Sequence, residues 1–289
     1  MDSYRSIFRP GLFSGQVVIV TGGGSGIGRC TAHELASLGA KVALVGRRVD
    51  KLDVVSEEIA AVGGEAEGFV CDIREEDKVK TTVSAVLARF GHIEGLVNNA
   101  GGQFLAPLVA MSQKGWETVV RNNLTGGFLM AREAFTQWMV NNGGAIVNIV
   151  ADMWMGAPAM GHSGAARAGM VNLTETAAFE WSGSNVRVNA VAPGWIASSG
   201  LDNYPAEMRD QIRNLKNLSP SGRLGTESEV AAVIVFLLSE AASFISGATV
   251  RVDGATPNAR RSVPLPVRAE PMPAFNGFHL ARTPKVLLD

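Results

Sequence analysis

Val17-Val18-Ile19-Val20-Thr21-Gly22-Gly23-Gly24-Ser25-Gly26-Ile27-Gly28 is the stretch on which the fold turns. Its β-branched run reads as a buried strand, its glycines as a tight turn, and residues 26–38 continue with helical spacing. A strand that passes through glycines into a helix aims backbone N–H groups and the positive end of the helix dipole at an anion. The setting predicts a seat for the pyrophosphate of a dinucleotide, built from Gly22, Ser25, Gly26, Ile27 and Gly28.

The same alternation repeats down the chain. Val42–Val45 precedes a helical pattern over 50–61, Gly68–Val70 one over 75–89, and Leu96–Val97 one over 113–140. Ile146–Val150 leads into 163–182, Val186–Val191 into 227–238, and Val250–Val252 closes the series. Strands alternating with helices predict an α/β fold: a Rossmann-type doubly wound parallel sheet, one domain over 15–254 after an N-terminal arm, 1–14. An insertion at 195–225, with a helix expected over Pro205–Leu218, follows the sixth strand at the edge where such sheets bind ligands. It is expected as a small lid over substrate; the plainer reading is a connecting loop. Residues 255–289 hold six of the chain's twelve prolines and no regular period, so they extend the domain without adding to its sheet. They read either as a mobile tail or, through Phe275, Phe278, Leu280, Val286 and Leu287, as an arm around a neighbouring subunit.

A net charge of −1 gives no general attraction to nucleic acid or anionic membrane, which leaves a small molecule as the expected partner. No apolar run reaches transmembrane length and no signal-peptide core opens the chain. Cys30 and Cys71 have neither paired spacing nor nearby histidines, so neither a disulfide nor a metal site is expected, and a cytoplasmic location fits.

The second predicted strand ends in Gly46-Arg47-Arg48, where an acid gripping the ribose 2′-hydroxyl would mark NAD. Guanidinium groups suit a 2′-phosphate instead, so the expected cofactor is NADP(H). The alternative is a solvated basic turn in which Asp50 and Asp53 pair with the arginines. Cys71-Asp72-Ile73 ends the third strand, Asn98-Asn99-Ala100-Gly101 the fourth, and Pro193-Gly194 follows the sixth. With Thr21-Gly22-x-x-x-Gly26-x-Gly28, this ordered set resembles the short-chain dehydrogenase/reductase family over nearly all of 15–254. The resemblance implies that Asp72 and Ile73 meet adenine, Asn98 and Ala100 line the cleft, and Pro193, Gly194 and Ile196 flank the nicotinamide. Asp72 read alone equally suits a helix cap. The resemblance also implies a homo-oligomer, a tetramer formed through the helices at 113–140 and 163–182.

Of the family's catalytic Asn, Ser, Tyr and Lys, only the asparagine stands in place, as Asn123; the serine position falls at Ala151. Matching Arg167-Ala168-Gly169 to the family's Lys-Ala-Gly puts Ser163 at the tyrosine position and Arg167 at the lysine position. The chain's only tyrosines are Tyr4, outside the expected core, and Tyr204, which could reach only from the lid. Asn98–Phe104, Gln113–Trp116 and His162–Gly169 resemble the peroxisomal-type trans-2-enoyl-CoA reductases and their bacterial relatives, some assigned to citronellol and citronellal catabolism. The family's 2,4-dienoyl-CoA reductases also place serine at the tyrosine position; their extra tyrosine would fall near Asp152 and their substrate-binding asparagine at Gln103.

Conjugate reduction explains the departure. Hydride added at Cβ of an enoyl thioester leaves negative charge on the thioester oxygen, and a proton must reach Cα. Such a reaction needs hydrogen-bond donors aimed at an oxyanion more than it needs a phenolate. Gln103 and Ser163 are the expected donors, and Arg167 is expected to hold the nicotinamide ribose and add positive potential. His162, Asp152 and water are the candidates for the proton. Against these, Ser163 suits a helix cap and His162 a structural role at the helix start. The expected function is NADPH-dependent reduction of the C=C bond of a trans-2-enoyl, acyl-CoA-like thioester. Oxidation or reduction of an acyclic terpene alcohol or aldehyde competes with it, as does an NADP-binding sensor or oligomer partner with little catalysis.

Overall fold

The computed structural model of the chain describes residues 3–259, 265 and 270–288. Its strands are β1 (Val17–Thr21), β2 (Lys41–Gly46), β3 (Glu65–Val70), β4 (Gly95–Asn98), β5 (Gly144–Ile149), β6 (Val186–Pro193) and β7 (Thr249–Val252). They form one parallel sheet in the order β3-β2-β1-β4-β5-β6-β7. Chain direction across the sheet reverses between β1 and β4, which opens a crevice at their carboxyl ends.

The helices are α1 (Gly26–Ser37), α2 (Val49–Ala61), α3 (Glu76–Phe90), α4 (Gln113–Val120), α5 (Gly126–Ala134), α6 (Val140–Asn142), α7 (Gly161–Glu180), α8 (Arg209–Asn214) and α9 (Glu227–Leu238). Alternate strand residues feed two separate cores. Val18 and Val20 pack with Leu35, Leu52 and Ile234 of α1, α2 and α9. Val17 and Ile19 pack with Val83, Met130 and Ala177 of α3, α5 and α7. Each of the valine, leucine, isoleucine and methionine side chains among them, fully buried, contributes about 1.5–3 kcal/mol. The unbroken apolar runs Val17–Val20 and Val42–Val45 follow from this burial on both faces.

Four elements depart from expectation. β3 begins at Glu65 rather than Gly68, because Glu65 and Glu67 lie on the edge strand, where Lys41 and Arg89 pair with them. The run over 113–140 carries π-helical turns at Arg121–Thr125 and Phe135–Met139. The helix expected over Pro205–Leu218 is split into short pieces, with α8 its only α-helical part. Finally, α7 starts at Gly161 with Met160 as its N-cap, so Ser163 is not a cap.

Phe278, Leu280, Val286 and Leu287 of the extension pack on their own chain. Phe278 is buried against Tyr4, Cys30 and Ala231, and the N–H groups of Gly277 and Phe278 donate to Ser228 Oγ. Val286 and Leu287 join Leu201 and Ile212 of the insertion. Pro264 and Pro266 lie outside the described residues. Tyr4, placed outside the core by sequence reading, is thereby buried.

Beneath this cover the Tyr4 hydroxyl and Ser6 Oγ donate to the two carboxyl oxygens of Glu34, at 3.1 and 3.0 Å. Burial pushes the Glu34 carboxyl up to about 7, against the pull of those two hydrogen bonds. The unfolded carboxyl ionises near 4.5, so this group's contribution to stability falls as pH rises from 4.5 to about 7 and is constant above. Glu34→Gln is expected to melt higher than the parent at pH 8 and equally at pH 4.5. Calorimetric scans at the two pH values check this; an equal difference at both would show that ionisation is not the cause.

Candidate active site

The glycine turn is set by close approach. Gly22 has φ +66°, and a Cβ there would lie 2.8 Å from Asn99 Nδ2 and 3.0 Å from Ala100 Cα. Thr21 Oγ1 accepts from the N–H groups of Asn99 and Ala100, both at 2.9 Å, fastening the end of β1 to the end of β4. Ser25, the N-cap of α1, makes no side-chain capping bond, and no acid sits in the first turn. Those N–H groups and the Ser25 hydroxyl suit an anion. Gly26, with φ +57°, begins α1, and Gly28 packs directly on the Gly22 carbonyl.

Beside this turn lies a cavity of about 200 Å³ lined by Arg47, Arg48, Asp72, Ile73 and Ala100. Asp72 is not the cap of α3, which is Glu75. Arg74 instead forks onto Asp72 at 2.8 and 2.5 Å, and these bonds hold the carboxyl down at about 2. Arg48 pairs with Asp50 at 3.3 Å, exposed to solvent. Among the described residues no carboxylate pairs with Arg47, and Asp53 pairs with neither arginine.

A second cavity, about 560 Å³, is walled by Ile27, Asn99, Pro193, Gly194 and Ile196 and reaches Gln103, Arg167 and Tyr204. An adjoining lobe of about 270 Å³, lined by Asp152, Met153, Met160, Ser163 and Trp195, shares Gln103 and Arg167 with it. At the junction the Ser163 hydroxyl donates to Gln103 Oε1 at 2.8 Å, and Gln103 Nε2 donates to the Tyr204 hydroxyl at 3.0 Å. The lid tyrosine thus completes a row that sequence reading left without it. Its one early signal was composition, since no other tyrosine was available to the cleft.

Arg167 is buried, four residues along α7 from Ser163 and so on the same side. One amino group donates to the Ile149 carbonyl at 2.5 Å, Nε is buried with no partner, and no carboxylate among the described residues pairs with it. Burial lowers its pKa to about 10. Asn123, in the π-turn Arg121–Thr125, accepts from Gly102 N and donates to Gly102 O, both at 2.9 Å, and so steadies the loop that carries Gln103. Burial, then the nearby Asp253 carboxylate, raises the pKa of Asp152, whose buried Oδ1 has no partner.

Two expected residues lie elsewhere. Asn98 does not line the cleft: its amide donates to Gly127 O and Asn148 Oδ1, below the cavity floor, and Asn99 takes the cleft position. Successive residues at a strand end point to opposite faces, and sequence does not say which is which. His162 is fully buried, edge-on to Phe104 at 4.5 Å, with Nδ1 accepting from Ser163 N. It touches neither cavity, so its place fits packing better than proton delivery.

A family model described as enoyl-(acyl carrier protein) reductase matches residues 22–255. The chain belongs to the short-chain dehydrogenase/reductase family. It is an oxidoreductase by that membership. The citronellol catabolism dehydrogenase of Pseudomonas aeruginosa PAO1 is 59% identical, superposes with a TM-score of 0.80, and covers 88% of this chain and 99% of its own. A probable 2,4-dienoyl-CoA reductase of Bacillus subtilis (strain 168) is 36% identical over 242 residues, 83% of this chain and 95% of that protein. A putative NAD(P)-dependent gluconate 5-dehydrogenase from Beutenbergia cavernae, solved with bound NADP at low occupancy, is 33% identical at a TM-score of 0.80, covering 87% and 100%. Within this short-chain dehydrogenase/reductase, no described helix is long and apolar enough to cross a membrane.

Proposed function

We propose that this short-chain dehydrogenase/reductase uses NADP(H) to reduce the C=C bond of a trans-2-enoyl thioester of acyl-CoA type. The observation that carries the reading is the junction itself: a serine hydroxyl bonded to a glutamine amide beside a buried, acid-free arginine. Such a site can receive negative charge but lacks the phenol and ammonium of ordinary alcohol chemistry at positions 163 and 167.

The residues present fit the cofactor. The open first turn of α1 and Ser25 suit the pyrophosphate, Arg47 and Arg48 the 2′-phosphate, Asp72 and Ile73 the adenine, and Pro193, Gly194 and Ile196 the nicotinamide. When bound, the reduced nicotinamide supplies hydride. Gln103 has one amide hydrogen on Tyr204 and a second for the thioester oxygen; Ser163, whose own hydrogen goes to Gln103 Oε1, polarises that amide. Arg167 adds positive potential in a medium that screens it poorly. Asn123 steadies the Gln103 loop. The apolar lobe around Met153, Met160 and Trp195 suits an acyl chain. Exposed Phe128 and Phe179, on α5 and α7, support a homotetramer formed through those helices.

A second reading, oxidation or reduction of an acyclic terpene alcohol or aldehyde, is supported by the 59% identity to the citronellol catabolism dehydrogenase. NADPH consumption with crotonyl-CoA, a longer trans-2-enoyl-CoA and citronellal separates the two. Turnover of the thioesters is expected; turnover of citronellal alone would establish the second reading, and none at all would favour a sensor. Arg47→Ala is expected to raise the KM for NADPH about tenfold or more and to leave that for NADH within twofold, and equal loss with both would remove the 2′-phosphate assignment.

A further inference from the structure

We propose that Tyr204 is the catalytic acid of this site and that the segment 284–288 positions it. The assignment rests on the enoyl-thioester reading and says where its proton comes from.

The argument begins with hydrogen counting. Gln103 Nε2 donates to the Tyr204 oxygen at 3.0 Å, so the phenolic hydrogen is not used in that bond. Tyr204 lines the same cavity as Gln103, Arg167 and the Pro193–Ile196 loop. Ser163 cannot serve in this arrangement, because its hydrogen is already on Gln103 Oε1. His162 is sealed behind Phe104. Asp152 lines the adjoining lobe but not the cavity that Tyr204 lines, and among the described residues no hydrogen bond joins it to Gln103, as one joins Tyr204. Tyr204 is therefore the acid closest to the proposed oxyanion donor, and a phenol is a far stronger acid than an aliphatic hydroxyl.

With hydride, which the reduced nicotinamide would supply when bound, added at Cβ, the former C=C electron pair moves onto Cα and the thioester oxygen. The Tyr204 Oη–H bond breaks as the Cα–H bond forms, and solvent reprotonates the phenolate. Gln103, hydrogen-bonded to the phenol oxygen, stabilises the charge left there.

A lid residue performs such a task only if the lid is held. Tyr204 packs in a cluster with Leu201, Met208 and Ile212, and Val286 and Leu287 complete that cluster from the far end of the chain. Val286 N donates to Asp202 Oδ1 at 3.0 Å, two residues before the tyrosine. Arg213 donates to Val286 O at 2.8 Å and to Leu288 O. The turn Lys285–Leu287 thus clasps the lid on both sides of Tyr204.

The test compares the parent enzyme with Tyr204→Phe, Asp152→Asn and Arg213→Ala, using crotonyl-CoA and NADPH. Three readouts are steady-state rates, NADPH affinity by fluorescence titration, and the face of Cα that takes deuterium in D2O, read by NMR after chiral derivatisation. Tyr204→Phe is expected to lower kcat about a hundredfold with KM and NADPH affinity within threefold, its residual product being labelled on both faces of Cα. Arg213→Ala is expected to lower kcat about fivefold with single-face labelling kept. Parent-like rate and single-face labelling in Tyr204→Phe would overturn the assignment. A hundredfold loss in Asp152→Asn with Tyr204→Phe unaffected would overturn it in favour of the carboxyl. Absence of crotonyl-CoA turnover in the parent enzyme is the distinct signature of a wrong thioester reading, and the assignment falls with it.

Discussion

Arg167→Met is expected to lower kcat about a thousandfold while raising the melting temperature of the cofactor-free protein by about 3–8 °C. The two effects have one cause. The guanidinium is buried, its pKa is lowered to about 10 by that burial, and no described carboxylate compensates it. A buried cation without a counter-ion costs several kcal/mol. Methionine has similar length, and its loss of the bond to the Ile149 carbonyl costs about 1–3 kcal/mol, so the exchange leaves a net gain. In the proposed reaction the balance reverses, because the charge that is costly in the free protein is the one whose positive potential would favour the developing oxyanion. Differential scanning fluorimetry beside steady-state kinetics checks both halves. A melting temperature that falls with kcat unchanged would mean that Arg167 only braces β5 against α7.

Gly28→Ala is expected to weaken NADPH binding at least a hundredfold although it adds one methyl group. That methyl would sit 2.4 Å from the Gly22 carbonyl oxygen and 2.5 Å from Asn99 Nδ2. Neither can retreat freely: Asn99 Nδ2 donates to Thr21 O at 2.9 Å, and the Gly22 carbonyl is part of the turn proposed to seat the pyrophosphate. The helix must therefore move outward, carrying its first-turn N–H groups away from the anion, at an overpacking cost of about 1–3 kcal/mol. Gly183→Ala is the control, since a methyl there meets nothing within 4 Å. Fluorescence titration with NADPH, with circular dichroism to monitor the fold, reads the result. Binding within threefold of the parent would show that α1 tolerates displacement.

The sheet is legible because most of its strands carry a short apolar run bounded by turn residues, and burial on both faces writes that pattern directly. It was least legible at β3, where Glu65 and Glu67 mask an edge strand, and in the insertion, where Pro205 and a mixed pattern read as one helix. Ser163, Gln103 and Arg167 stand out through the resemblance to the short-chain dehydrogenase/reductase family, and four-residue helical spacing puts Ser163 and Arg167 on one side of α7. The sequence does not bring Tyr204 to Gln103, because its approach depends on a clasp made more than eighty residues later, a contact that no local period encodes. Asn98 was assigned wrongly because the facing of the last residue of a strand is a matter of parity, which the fold decides.

That misplaced asparagine has a consequence of its own. Asn98 lies directly beside Asn148 across the β4–β5 pair, and their side chains are bonded at 2.9 Å, with Asn148 donating in turn to Thr174 of α7. Parallel strands made of valine and isoleucine fit one another nearly as well after sliding by two residues, since each side chain keeps its face. A slide here would strand two amides among hydrocarbons, at a few kcal/mol apiece. The pair works as a vernier mark: it reads zero at one alignment only, and through Thr174 it sets the height at which α7 presents Ser163 and Arg167.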